Sequence, residues 1–326
     1  LYAFHVLGAG PSTAACQAWV ETGQARNRPR GRGSRRKRLD SAMQTPSSKP
    51  NTPLGLAGVT NFIAVASGKG GVGKSTVAAN LACALAETGA KVGLMDADVY
   101  GPSVPLMFGV PSDEKPIVNE ERHIVPLMRY GVKLLSMGFL VDDKNAVIWR
   151  GPMVSSAVRQ FLGQAAWGEL DHLVIDLPPG TGDIQLTLVQ TVPLTGAVVV
   201  STPQAVALAD ARKAVKMFEN VHVPVLGVVE NMAYFTPPDL PDRRYYLFGE
   251  AGAQKLAAEI GVPVLGEVPI EQAAREAGDR GTPVVLAEPE SHSAKAFRSM
   301  AEKVVLEVER RNEDEPPTQP IEILYK

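Results

Sequence analysis

Residues Ser67–Thr76 read Ser-Gly-Lys-Gly-Gly-Val-Gly-Lys-Ser-Thr and follow directly on the apolar run Phe62–Ala66. A strand that runs through four glycines into a helix-length segment must turn sharply, and glycine alone lets backbone N–H groups crowd toward a ligand. The spacing Gly68-x4-Gly73-Lys74-Ser75 is that of a phosphate-binding P-loop. Gly68, Gly70, Gly71 and Gly73, with Val72 between them, allow the main chain to wrap phosphate oxygens where a side chain would obstruct. The helix expected over Ser75–Glu87, with Thr76 in its first turn, turns its positive end to the same point. Lys74 is placed to reach β- and γ-phosphates, and the Ser75 hydroxyl to ligate Mg²⁺.

The same glycines also fit a dinucleotide fingerprint, Gly68-x-Gly70-x-x-Gly73, with Asp96 23 residues beyond Gly73 where a ribose-binding acid would stand. Two features favour the triphosphate reading. Lys74-Ser75 serves phosphate and Mg²⁺ but has no part in the dinucleotide pattern. A second acidic element also lies downstream, in His172-Leu-Val-Ile-Asp176-Leu-Pro-Pro-Gly-Thr-Gly-Asp183. An apolar strand ending in Asp176 is the Walker B arrangement, holding Mg²⁺ through water. Pro178-Pro179-Gly180 then makes a stiff turn placed to sense the γ-phosphate.

Around these motifs the chain alternates. Apolar runs of strand length recur at 62–66, 91–95, 172–177, 196–201, 225–229 and 264–268. Helix-length segments separate several of them, at 75–87, 154–165, 184–191, 205–220 and 250–260, and a last helix spans about 291–310. Near-continuous apolar strands between helices predict an α/β fold, a single P-loop NTPase domain with a mainly parallel sheet and helices on both faces. Residues 117–139 are less regular and read as a hairpin insertion. The domain is expected over 59–310, after a basic leader at 1–58 and before an acidic, Pro-rich tail at 311–326.

The leader carries a formal +7 over its first fifty residues, while the whole chain stands at −2, so the remainder is −9. Its Arg-rich, acid-poor composition matches an organelle transit peptide, which would place the protein in a plastid or mitochondrial matrix. The other reading takes Met43 as initiator and the preceding residues as an extension, leaving a cytoplasmic protein. An acidic body gives no general affinity for nucleic acid or anionic membrane. No apolar run approaches the ~18 residues of a membrane span. Two cysteines, Cys16 and Cys83, exclude a disulfide framework and suit a reducing compartment. The five histidines show no metal-ligand spacing, and His172 and His222 border apolar strands as structural residues.

Lys69 departs from a generic P-loop by putting a second lysine inside it. Gly68-Lys-Gly-Gly-Val-Gly-Lys-Ser75 resembles the deviant Walker A motif of the SIMIBI ATPases, which include MinD, ParA and the nitrogenase iron protein. The resemblance implies a homodimer in which Lys69 reaches the partner's nucleotide and stabilises charge on the β–γ bridge. The pair Asp96 and Asp98 closes the second strand, and residues i and i+2 of an extended segment share a side. They are therefore expected to flank the Mg²⁺ and the attacking water together. By resemblance, Asp98 orients the water and Asp96 supports the metal shell.

Asp96-Ala-Asp-Val-Tyr-Gly-Pro-Ser103, Trp149-Arg-Gly-Pro152, Asp176-Leu-Pro-Pro-Gly-Thr-Gly-Asp183 and Glu230-Asn-Met232 together look like the Mrp/ApbC branch, iron–sulfur cluster carrier ATPases. That likeness, over about 59–310, implies an adenine contact from Asn231 and a loop carrying Pro269 over the base. It also implies apo iron–sulfur proteins as clients. Many members carry Cys-x-x-Cys after Asn-Met, whose thiolates bridge a cluster between subunits. Here residues 232–249 contain no cysteine, so the usual cluster ligands are missing, and the cluster would need unconventional ligands or a Cys-bearing partner. A kinase or reductase component would need a second catalytic constellation, and none is visible. The other class of function is a MinD/ParA-like dimer switch with no cluster. Membrane targeting of that kind wants a basic amphipathic C-terminal helix, whereas Ala301–Arg311 leads into Asn-Glu-Asp-Glu315.

Overall fold

The computed structural model describes residues 56–139, 158, 161–240 and 242–314. The basic leader, the motif at 149–152, part of the helix expected at 154–165 and residues 315–326 lie outside the described residues.

From the N-terminal side the elements are β1 (Val59–Ala66), α1 (Lys74–Glu87), β2 (Val92–Asp96), α2 (Val104–Met107), β3 (Ile117–Val118), β4 (Ile124–Val125), β5 (Leu127–Arg129) and β6 (Val132–Ser136). Then come β7 (Leu170–Asp176), α3 (Asp183–Thr191), β8 (Gly196–Ser201), α4 (Ala205–Asn220), β9 (Val225–Phe235) and α5 (Gly252–Ile260). The last elements are β10 (Val264–Ile270), α6 (Gln272–Asp279), α7 (Val284–Ala287) and α8 (His292–Asp314).

One eight-stranded sheet runs in the order β10-β9-β8-β1-β7-β2-β6-β5. Its neighbouring strands are parallel except β5, which pairs antiparallel with β6. β1, β2, β7 and β8 are buried along almost their whole length, as a sheet covered on both faces requires. The path explains the covering. β1→α1→β2 moves toward one edge, whereas β8→α4→β9→α5→β10 moves toward the other. Right-handed crossovers in opposite directions put their helices on opposite faces. α8 packs against α1 and β10, and α4 packs against α5 and β8. The crossovers diverge beside β1, and such a switch point opens a crevice beyond the carboxyl ends of the strands.

The insertion at 117–139 is only partly a hairpin. β3 and β4 form a separate antiparallel pair, but β6 joins the main sheet beside β2, with Ser136 opposite Asp96. β9 runs on to Phe235, six residues beyond the apolar run, and closes an antiparallel bridge to Tyr245. Pro269 corrects the expectation of a loop. It lies within β10, buried. β10 is an edge strand, and its register to β9 shifts between Val268 and Ile270. An edge position at an irregularity is where a residue without an N–H fits a sheet.

Candidate functional site

The loop after β1 takes its shape from packing as well as from glycine chemistry. A Cβ on Gly68 would come within 2.1 Å of the Asp210 carbonyl on α4, so the helix backbone closes that flank. A Cβ on Gly73 would come within 2.1 Å of Asn231 Nδ2, and Gly73 also sits at φ 81°. Gly70 and Gly71 face open space. Two glycines thus let the protein approach the loop from behind, and two leave the front clear. Asn231 Nδ2 donates to the Val72 carbonyl at 2.8 Å, and Gly180 N–H donates to the Ser67 carbonyl at 2.9 Å. The first bond ties the loop to β9 and the second to the turn that follows β7.

In front of the loop is a cavity of about 260 Å³ lined by Lys69, Gly70, Gly71, Lys74, Ser75, Thr76, Asp98 and Pro179, among others. That is below the ~300–1,000 Å³ of a pocket for a drug-sized ligand and suits a phosphate chain with its cation. α1 starts here with Gly73 as N-cap and no side chain capping it. Its first N–H groups are therefore turned to the cavity without a competing side-chain acceptor.

Lys74, Ser75, Asp98 and Asp176 meet at the floor. Lys74 Nζ lies 2.5 Å from Asp176 Oδ1, 3.3 Å from Ser75 Oγ and 3.9 Å from Asp98 Oδ2. Asp176 is wholly buried, and its Oδ2 has no hydrogen-bond partner. Burial raises its carboxyl above the ordinary carboxylate range, against the pull of Lys74 and the Ser75 hydroxyl. A buried carboxylate oxygen without a protein donor suits a hydrated cation, and the hard oxygens of Asp176 and Ser75 fit Mg²⁺.

Asp96 and Asp98 do not act as a pair on one side. β2 stops at Asp96 and the chain turns, so the rule for extended residues no longer holds at Asp98. Asp98 N–H donates back to Asp96 Oδ1 at 3.1 Å. Asp96 Oδ2 accepts from Val104 N–H at 3.3 Å and from Ser136 Oγ at 2.9 Å. Burial, and then the neighbouring Asp176 charge, push the Asp96 carboxyl up to about 7. Asp98 lines the cavity, whereas Asp96 is enclosed beneath the loop. Protein donors engage both of its oxygens, so Asp96 braces the loop and would support a cation only through water.

Asn231 and Pro269 stand apart from the cavity lining. Asn231 lies at the back of the loop, and its register partner on β10 is Val268, next to Pro269. Beside Asn231, Glu230 Oε2 accepts the Ala253 N–H of α5 at 2.5 Å. The short helix α2 brings Met107 to the cavity rim with Ser103. Sequence reasoning gave neither a role, although Gly101-Pro102-Ser103 lies within the motif that follows Asp96. Asp239 and Asp242 lie on the exposed excursion after β9. Among the described residues no three His, Cys, Asp or Glu side chains gather as a metal site.

Comparison with known proteins fits this geometry. Residues 58–305 match the family described as the NUBPL iron-transfer P-loop NTPase. The chain belongs to that family. It is 56% identical over 248 residues to a Synechocystis protein named iron–sulfur cluster carrier protein, covering 76% of this chain and 70% of that one. It is 50% identical to the Dictyostelium discoideum iron–sulfur cluster transfer protein NUBPL, covering 81% of each. Among solved structures it resembles a nucleotide-binding protein from Archaeoglobus fulgidus in complex with ADP. The TM-score is 0.65 at 43% identity, over 74% of this chain and 94% of that one. A P-loop NTPase fold and a nucleotide at this loop follow from family membership.

Proposed function

We propose that the chain binds Mg-ATP at the loop, hydrolyses it slowly as a homodimer, and uses that cycle to deliver iron–sulfur clusters to apoproteins. The observation that carries the reading is the convergence of Lys74, Ser75, Asp98 and Asp176 on a preformed phosphate cavity. The names borne by relatives at 50–56% identity supply the cargo.

Lys74, the α1 N-terminus and the loop amides hold the phosphates, and Asp98 orients water toward the γ-phosphate. Ser75 would hold Mg²⁺, with Asp176 and Asp96 supporting it through water. The ion would neutralise charge developing on the phosphate oxygens. Lys69 acts on the partner's nucleotide when two subunits close. Asn231, bonded to Val72, reads the base only from the loop's rear edge, and Pro269 only through β10. The ATPase domain is placed over 59–310.

The cluster is cargo. Among the described residues no cysteine fits it as a resident group, because Cys83 is buried with its thiol pushed up to about 12, and 232–249 has none. Thiolates are therefore supplied by a Cys-bearing partner, in a compartment that keeps them reduced. The test is anaerobic reconstitution with iron and sulfide, followed by transfer to an apo-acceptor with and without Mg-ATP. Cluster uptake in the presence of such a partner, and nucleotide-dependent transfer, are expected. Absence of a visible-region chromophore under every condition would overturn the carrier role and leave a nucleotide-driven dimer switch.

A further inference from the structure

The loop at 97–103 has to hold Asp98 against the cavity, yet it stands beyond the end of β2, and its tip is open to solvent with Tyr100 68% exposed. Asp98 Oδ1 gathers the Tyr100 and Gly101 N–H groups at 3.3 and 3.2 Å, which shapes the tip but moves with it. The anchor is Asp96. Two of its three donors, Asp98 N–H and Val104 N–H, lie in or next to the loop. The third, Ser136 Oγ, comes from a different strand.

Ser136 is fully buried and is the register partner of Asp96, so the sheet itself sets their separation. Its hydroxyl accepts the Gly138 N–H at 3.0 Å and turns its own proton to Asp96 Oδ2. The turn after β6 also touches the loop directly. A Cβ on Gly138 would stand 3.0 Å from Pro102 Cβ and 3.2 Å from Ser136 Oγ.

We propose that Ser136 is a positioning residue for hydrolysis, fixing the Asp98 loop to the end of β6 through Asp96 while Gly138 seats Pro102. The proposal rests on the hydrolytic reading of the site above. It predicts a loss in the chemical step with binding left intact, since none of Ser136, Gly138 and Pro102 lines the cavity. Small misplacements of a water-orienting group are costly, about 10²-fold for 1 Å.

The experiment compares Ser136→Ala, Ser136→Thr and Gly138→Ala with the unaltered chain. It reads kcat and KM for ATP, together with hydrogen exchange over 97–104. Ser136→Ala is expected to lower kcat about tenfold or more with KM within about twofold, and to speed exchange at Tyr100 and Gly101. Ser136→Thr keeps the hydroxyl and recovers most of kcat. Gly138→Ala keeps the serine but crowds both Pro102 and Ser136 Oγ, and its reproducing the kcat loss covers the case of a Ser136→Ala chain that does not fold. Unchanged kcat and exchange in both alanine variants would overturn the proposal, as would exchange rising equally across α1 with KM and kcat lost together. An unaltered chain that hydrolyses no ATP would instead overturn the function reading, while exchange over 97–104 would still decide whether Ser136 holds the loop.

Discussion

Lys74 Nζ lies 2.5 Å from Asp176 Oδ1, with both side chains buried, at the point where a phosphate and its cation would meet. The lysine comes from the start of a helix and the aspartate from the end of a strand two places from β2's outer neighbour in the sheet, so the pair is a tertiary contact that a nucleotide must rearrange. Removing one partner of a buried pair strands the other. Lys74→Ala is therefore expected to abolish nucleotide binding and to destabilise the free protein by about 3 kcal/mol. Adding Asp176→Asn should restore much of that stability without restoring binding. Because the Asp176 carboxyl is already raised and loss of Lys74 raises it further, the Lys74→Ala defect should deepen as pH rises from the ordinary carboxylate range. Denaturant melts of the two variants at several pH values provide the measurement.

Lys69 borders the cavity of its own chain but contributes nothing to the ion pairs on its floor. Lys69→Ala should keep nucleotide affinity within about threefold and lose turnover by about 10² or more. Mixing it with a Lys74→Ala chain should recover part of the activity, since the Lys74→Ala chain would supply an intact Lys69 to the nucleotide bound on the Lys69→Ala chain. Equal loss of binding in the two single variants would rule out action across a dimer.

Glycines of the one motif should respond differently. Gly68→Ala meets the backbone of α4, and backbone cannot yield as a flexible side chain can, so a loss of about 3 kcal/mol or more is expected. Gly70→Ala meets nothing and should stay within about 0.5 kcal/mol in stability, while obstructing phosphate. Thermal melts with and without nucleotide separate the two effects.

Asp96 gives a signed pH dependence. Its folded carboxyl titrates at about 7, above the ~3.9 of an unfolded chain, so between those values the folded state holds a proton that the unfolded state has released. Stability from this group falls as pH rises from about 4 to 7 and is level beyond. Relative to Asp96→Asn, the unaltered protein should lose on the order of a few kcal/mol over that interval, followed by denaturant unfolding in metal-free buffer.

Cys83 sits on α1 with its thiol pushed up to about 12, by burial first and by Glu87 second. A thiolate is the reactive form, so Cys83 should resist a disulfide reagent in the native chain and react at once in denaturant. Native labelling at this residue, measured by mass spectrometry, would contradict the packing around α1.

Much of this architecture is legible from residues alone. The apolar run at 196–201 and the amphipathic stretch at 205–220 coincide with β8 and α4, because continuous burial and helical spacing leave one solution each. β6 escaped notice since Val132–Ser136 follows directly on Tyr130-Gly131 and β5, which reads locally as a hairpin. Its pairing with β2 is a long-range fact. α6 is only eight residues long, polar on average, and buries only Ala277, so no large apolar side chains mark it as a core-facing helix. For Asp96 and Asp98 the spacing rule was sound but the strand ends at Asp96, two residues short of Asp98, and side-chain direction follows the backbone. Pro269 shows the same limit, since a proline is acceptable in a strand only if that strand proves to be an edge.

The stretch from 236 to 250 is closed at its base by one strand. Phe235 pairs with Tyr245 in both directions, Glu230 receives the first turn of α5, and Asn231 holds the phosphate loop from the other side. What hangs between those clasps is a largely exposed excursion, none of whose described residues lines the phosphate cavity. The surface this excursion offers and the loop that wraps phosphate are thus drawn from separate stretches of the chain, joined through a single strand.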